Sequence, residues 1–180
     1  MMLRALLLAG LAAAAAALPA LARMPDDADR AEVAALVERF ETAFDGGDMA
    51  AVIEAIPPRA IETIAQGAGA PPDELRKIML QQMEAMMGGV EVLDYGMDLD
   101  AATAAETSSG RPYLLIPTGT TMKVADAGTF RNENTTLALE DDGEWYVMRV
   151  DDENQVALLR QVYPDFAGID FPIGVMEQVE

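Results

Sequence analysis

The sequence predicts an α+β domain: N-terminal helices packed on an antiparallel sheet, with an additional helix at the C-terminus. Three observations carry this. Apolar residues recur at helical spacing from Val33 to Met86, and from Val90 the period changes to strand alternation. Late in the chain, two apolar runs bracket Asp141-Asp142-Gly143, a strong hairpin signal. A chain that runs helices first and strands afterwards forms an α+β layer pair with helices on one sheet face.

Each element has its own warrant. Val33, Leu36, Val37, Phe40 and Phe44 form one stripe of a first helix, with Asp26, Asp27 and Asp29 at its N-terminal end and Gly46-Gly47 to stop it. Asp48 caps a short second helix carrying Met49, Val52, Ile53 and Ile56, which Pro57-Pro58 ends. Residues 59–66 fit a helical turn or a short strand. After a loop at Gly67–Ala70, Pro71-Pro72-Asp73-Glu74 opens a helix whose stripe is Leu75, Ile78, Met79, Met83 and Met86, closed by Gly88-Gly89.

Val90 to Leu99 reads as extended, and residues 101–108 are expected to pair with it. Residues 112–124 form a longer strand, where Pro117 and Gly119 suggest an edge or a bulge. Thr129–Leu139 and Trp145–Val150 make the hairpin, with Trp145 expected in the core and Tyr146 and Arg149 pointing the other way. A last helix spans about Asn154 to Tyr163 and ends at Pro164. Phe171 and Ile173 are the apolar anchors of the tail.

Residues 1–22 read as a cleaved secretory signal. Arg4 is the basic start, Ala5–Leu18 the apolar run, and Ala20-Leu21-Ala22 a small-x-small cleavage site after Pro19. The expected location is therefore exported, in a bacterium the periplasm. The run is short and broken for a membrane anchor. Residues 23–30 form a flexible lead-in, and residues 31–180 the single domain, with no membrane association expected after cleavage.

Charge and composition exclude several function classes. With 31 acidic residues against 12 Lys+Arg, the net charge is −19, which disfavours nucleic acid and anionic lipid surfaces. The chain has no Cys and no His. Disulfides, Ser-His-Asp and Cys-His catalysis, and His-based metal sites are thus excluded. No cofactor is expected.

FETAFDGGDMAAVIEAI (residues 40–56) and DDGEWYVMRVDD (residues 141–152) resemble the nuclear transport factor 2-like superfamily, the cystatin-like α+β cone. The matching features are a long helix followed by a Gly-Asp turn, and a late strand carrying Trp after an acidic-Gly hairpin. The resemblance covers most of residues 31–152. DDENQVALLRQVYPDFAGIDFP (residues 151–172) looks like exported members of unknown function, whose terminal helix is added to the basic cone. The resemblance implies a curved, cone-like sheet, a pocket for a small apolar molecule between sheet and helices, and homodimerisation through the sheet. A protein partner on the open sheet face is the other binding mode.

Isomerases of that superfamily use a pocket carboxylate with a Tyr or acid donor. The residues that could supply one are Asp94, Tyr95, Tyr113 and Asp98, all in predicted strands; a buried Asp beside a Tyr would make a cofactor-free isomerase or lyase site. Met79, Met83, Met86 and Met87 share a helix side, a pattern that could make a soft Cu(I) site but is more often plain core packing, the preferred reading. The acidic groups at 26–29, 98–100, 141–142 and 151–153 lack the spacing of a calcium loop and read as caps and turns. Arg111, Lys123, Arg131 and Arg149 could hold a carboxylate if two converged; ion pairs with neighbouring acids are the plainer expectation. The binding reading is preferred to catalysis.

Overall fold

A computed structural model describes residues 23–179; the signal assigned to residues 1–22 lies outside the described residues. The fold is α+β: N-terminal helices, a curled antiparallel half-barrel sheet and a C-terminal helix.

Helix α1 (Asp27–Asp45) begins at a capping box. The Asp26 carboxylate accepts the Ala28 and Asp29 N–H groups, and Asp29 accepts that of Asp26. Arg23 donates to the Asp29 carboxylate as well, so the lead-in is built into the helix start. Asp48 caps α2 (Met49–Glu54) through the Ala51 N–H. Residues 59–66 are helical, inside α3 (Pro58–Ala68). Pro58 sits where a missing N–H costs nothing, and Ala60, Ile61 and Ala65 supply the buried stripe. Helix α4 (Pro72–Met87) departs from its expected stripe. Leu75 is its buried residue, while Ile78 is exposed and Met86 is 74% exposed.

The strands are β1 (Val90–Met97), β2 (Thr103–Glu106), β3 (Pro112–Val124), β4 (Gly128–Asp141), β5 (Glu144–Arg149) and β6 (Val175–Val179). Strand β3 is central, with β4 on one side and both β1 and β2 on the other. Two expectations change here. Residues 103–106 pair with β3 rather than β1, and Pro117 lies in an inner strand. The reason is local: β2 covers residues 112–115 of β3 and β1 covers 118–124. Pro117 falls in the gap between them, where its carbonyl accepts the Asp98 N–H and no ladder donor is missing. The β4–β5 hairpin closes on Asp142 (φ 52°) and Gly143 (φ 85°), the two left-handed positions of a type I′ turn.

Core residues lie on both faces of the sheet. On one, α1 sets Val33, Leu36 and Val37 against Leu114, Ile116, Ala138, Trp145 and Val147. On the other, Tyr113, Leu137, Leu139, Met148 and Val150 meet α5 (Glu153–Val162) and the following 3-10 turn (Pro164–Phe166), with Ala60 of α3. The C-terminal helix therefore covers the face that the first helix leaves open. Trp145 is buried as expected, but Arg149 stands on its face rather than the opposite one, since both alternate with Met148. In the tail, Phe171 packs against the second core while Ile173 is 79% exposed, and the chain then adds β6 beside β4.

Candidate functional site

A groove of about 590 Å³ opens where α1 and α4 end beside β1. That volume falls within the usual range of small-molecule sites. The Gly46-Gly47 and Gly88-Gly89 turns stop the two helices here, so their last turns flank the opening strand. Phe44, Tyr95, Met49, Met87, Val92 and Leu93 give it apolar walls. Asp45, Glu84 and Asp94 are the acidic residues of the lining. Leu93 is exposed because a bulge between Val92 and Asp94 leaves it out of the register with β3.

Tyr95 anchors the groove. Its ring lies 4.4 Å from that of Phe44 and 6.0 Å from that of Phe40, an aromatic group tying α1 to β1. Burial raises the Tyr95 phenol pKa well above its ordinary value, and the Glu41 carboxylate pushes the same way. The phenol therefore stays protonated at neutral pH. Glu41 is itself engaged, accepting the Met97 N–H at 2.8 Å.

Register extends this face inward. Tyr95 pairs across β3 with Thr120, which pairs with Asn132, which pairs with Met176. The next rung is Met97, Thr118 and Asn134, and beyond it Ile116, Thr136 and Arg149. Cross-strand partners share a face, so Thr118, Thr120, Asn132, Asn134 and Thr136 bring polar side chains onto the α1 side beside the core residues Met97 and Ile116. Thr118 donates to Thr136 at 2.8 Å, whereas Asn134 Oδ1 is buried without a hydrogen-bond partner among the described residues. Arg149 is held by Asp151 at 2.8 and 2.5 Å.

The residues singled out from sequence do not all meet. Asp94 and Tyr95 both line the groove, but successive strand residues face opposite ways, and Asp94 is exposed. Tyr113 is on the opposite sheet face, buried with its ring 5.3 Å from Phe166. Strand parity separates it from Tyr95, because their β3 positions, 113 and 120, differ by an odd number. Asp98 caps a turn by accepting the Ala101 N–H. Met79 packs on the Ile61–Leu75 cluster of α3 and α4, Met83 is half-buried, Met86 faces solvent, and Met87 alone of the four lines the groove. Among the described residues, no three acidic side chains converge as a metal site. Arg111, Arg131 and Arg149 each pair with neighbouring carboxylates, and Lys123 sits opposite Glu91.

A second polar assembly was not legible as such. The buried Asp141 carboxylate accepts the Tyr163 hydroxyl at 2.9 Å and Arg59 at 3.1 Å, with Arg111 at 3.5 Å. Both guanidiniums lie over the Tyr163 ring, at 5.1 and 4.9 Å from its centroid. Asp165 accepts from Thr107, Ser109 and Arg111. Every charge here is answered within the fold, which makes this a clasp joining α3, α5 and the sheet rather than a vacant binding site. Asp141 precedes the hairpin turn, a local signal that hides its long-range partners.

No protein-family model, curated protein or solved structure matches the chain.

Proposed function

We propose that the protein is an exported binding module of the nuclear transport factor 2-like kind, holding a small molecule with substantial apolar surface in the groove beside Tyr95. One observation carries the reading: an open groove of about 590 Å³ retains an aromatic, Met and aliphatic lining. Exposed apolar surface of this kind marks interaction sites. The sheet face opposite α1 supports a protein partner less well. Over its uncovered half it presents Pro117, Lys123, Arg131 and Glu133, a largely charged surface. Catalysis has weaker support than binding, since Asp94 is exposed and shares no hydrogen bond with Tyr95 among the described residues.

The test is native mass spectrometry of protein isolated from the exported fraction, followed by titration with the neutral dye Nile red. The expected results are a mature mass beginning at Arg23 and a retained small-molecule adduct or saturable dye binding. Dye binding should weaken at least fivefold in Met87→Gln and Leu93→Gln, as apolar lining is lost. Protein that carries no adduct and binds no dye overturns the binding reading, and an uncleaved mass overturns the export reading.

A further inference from the structure

Resting on the groove reading, we infer that its occupant is an organic cation, an alkylated ammonium joined to an apolar body. The argument is chemical complementarity within one cavity. The acidic residues of its lining, Asp45, Glu84 and Asp94, are all exposed, and among the described residues no Lys or Arg lines it. The aromatic pair Phe44–Tyr95, 4.4 Å apart, offers π faces at the same place. A ring face beside carboxylates is the arrangement that recognises quaternary ammonium groups. A carboxylate or phosphate ligand would meet repulsion from these acids, with no lysine or arginine in the described lining to offset it.

The charges around Tyr95 agree with this. Glu41 and Asp45 of α1 act on it as negative charges, and the one guanidinium that also acts on it, Arg149 on the sheet, is committed to Asp151. Lys123, in register with Glu91 at the start of β1, has its own acidic neighbour. The apolar residues Met87, Val92 and Leu93 then take the body of the ligand. A strongly acidic protein also attracts cations over distance, which raises their local concentration at the groove.

The experiment compares three probes by isothermal titration calorimetry on the purified protein at low salt. They are ω-hydroxyhexyl trimethylammonium, its uncharged isostere with a tert-butyl head, and hexanoate. The ammonium should bind about tenfold tighter than the isostere, with hexanoate weakest, and raising the ionic strength should shrink that advantage. The combined Asp45→Asn, Glu84→Gln, Asp94→Asn variant should lose the advantage while keeping its affinity for the isostere, which also shows that it is folded. Equal binding of ammonium and isostere overturns the cation inference and leaves the groove reading standing. Persistence of the preference in the triple variant overturns it too. If none of the probes binds at millimolar concentration, the groove reading fails together with the inference.

Discussion

Removing the Asp141 carboxylate should be the most damaging single change to a polar side chain in this protein. The residue is 4% exposed and accepts from Tyr163 and Arg59, with Arg111 a little further away. Breaking a fully buried pair costs about 3–5 kcal/mol, mostly from the stranded partner charge. Here the cost is smaller, because Arg59 is 47% exposed and turns to water, and Arg111 keeps Asp165 and the Glu140 carbonyl. The Tyr163 hydroxyl, left without its acceptor, adds about 1 kcal/mol. Asp141→Ala is thus expected to destabilise by about 3 kcal/mol. With a urea slope of about 2 kcal/mol/M for a domain of this size, the midpoint should drop by about 1.5 M. Trp145, the only Trp, is buried in the sheet and reports unfolding by fluorescence. Arg59→Ala should cost under about 1 kcal/mol. In a double-mutant cycle, Asp141→Ala with Tyr163→Phe should show about 1–2 kcal/mol of coupling. An Asp141→Ala midpoint within about 0.3 M of the parent would refute the clasp as a stabilising device.

Three further predictions concern pH and backbone. Hydrogen bonding from Arg23 holds Asp29 below the ordinary 3.8, and in Asp165 burial is outweighed by hydrogen bonds from Ser109 and Arg111. Depressed carboxyl pKa values contribute stability above the unfolded value, so the urea midpoint should fall as pH drops through 3.8 and below. Arg23→Ala should flatten part of that limb, and an unchanged limb would rule out the Arg23–Asp29 contribution. At the alkaline end the sign reverses. Burial raises Tyr95 and Tyr163 above the ordinary 10.0, so their contribution is complete below pH 10.0 and lost as pH rises further. Tyr95→Phe and Tyr163→Phe should each reduce that alkaline loss, read from urea midpoints across the same range; equal losses in parent and variants would count against it. Gly143→Ala places a Cβ at φ 85° in the two-residue turn and should cost about 1–2 kcal/mol in urea unfolding. No measurable cost would mean that the hairpin does not need its left-handed turn.

How far the sequence could be read depended on whether the signal was local. The i, i+3, i+4 stripe of α1, the Asp48 cap and the Asp-Gly turn are set by neighbours in the chain, and each formed where expected. Residues 59–66 stayed ambiguous because eight residues hold too few turns to separate two periods. Pro117 misled because its tolerance depends on two other strands leaving a gap beside it. The methionine side of α4 read as a buried stripe, yet its lower end faces the groove and solvent, since α3 covers only the upper turns. Tyr95 and Asp94 stood out as strand residues able to line a pocket. Their separation from Tyr113 follows from sheet parity, which needs the β3 register, and the register needs the fold.

The distribution of polar side chains within the sheet sets an end packed for stability apart from one that gives some of it up. Toward the β4–β5 turn, both faces are packed, by Leu114, Ala138 and Trp145 on one side and Tyr113, Leu139 and Phe166 on the other, and Asp141 closes the polar balance with Tyr163 and Arg59. Two rungs further along the α1 face the packing residues give way to Thr118, Thr120, Asn132 and Asn134. Each of these buries polar atoms where Val or Leu would contribute more to stability. Asn134 Oδ1, without a hydrogen-bond partner among the described residues, carries a cost of about 1–3 kcal/mol. Packing alone gives no reason to keep that cost. The same contrast predicts the response to substitution: replacing Asn134 by Leu should raise the urea midpoint, and an unchanged or lower midpoint would refute the cost.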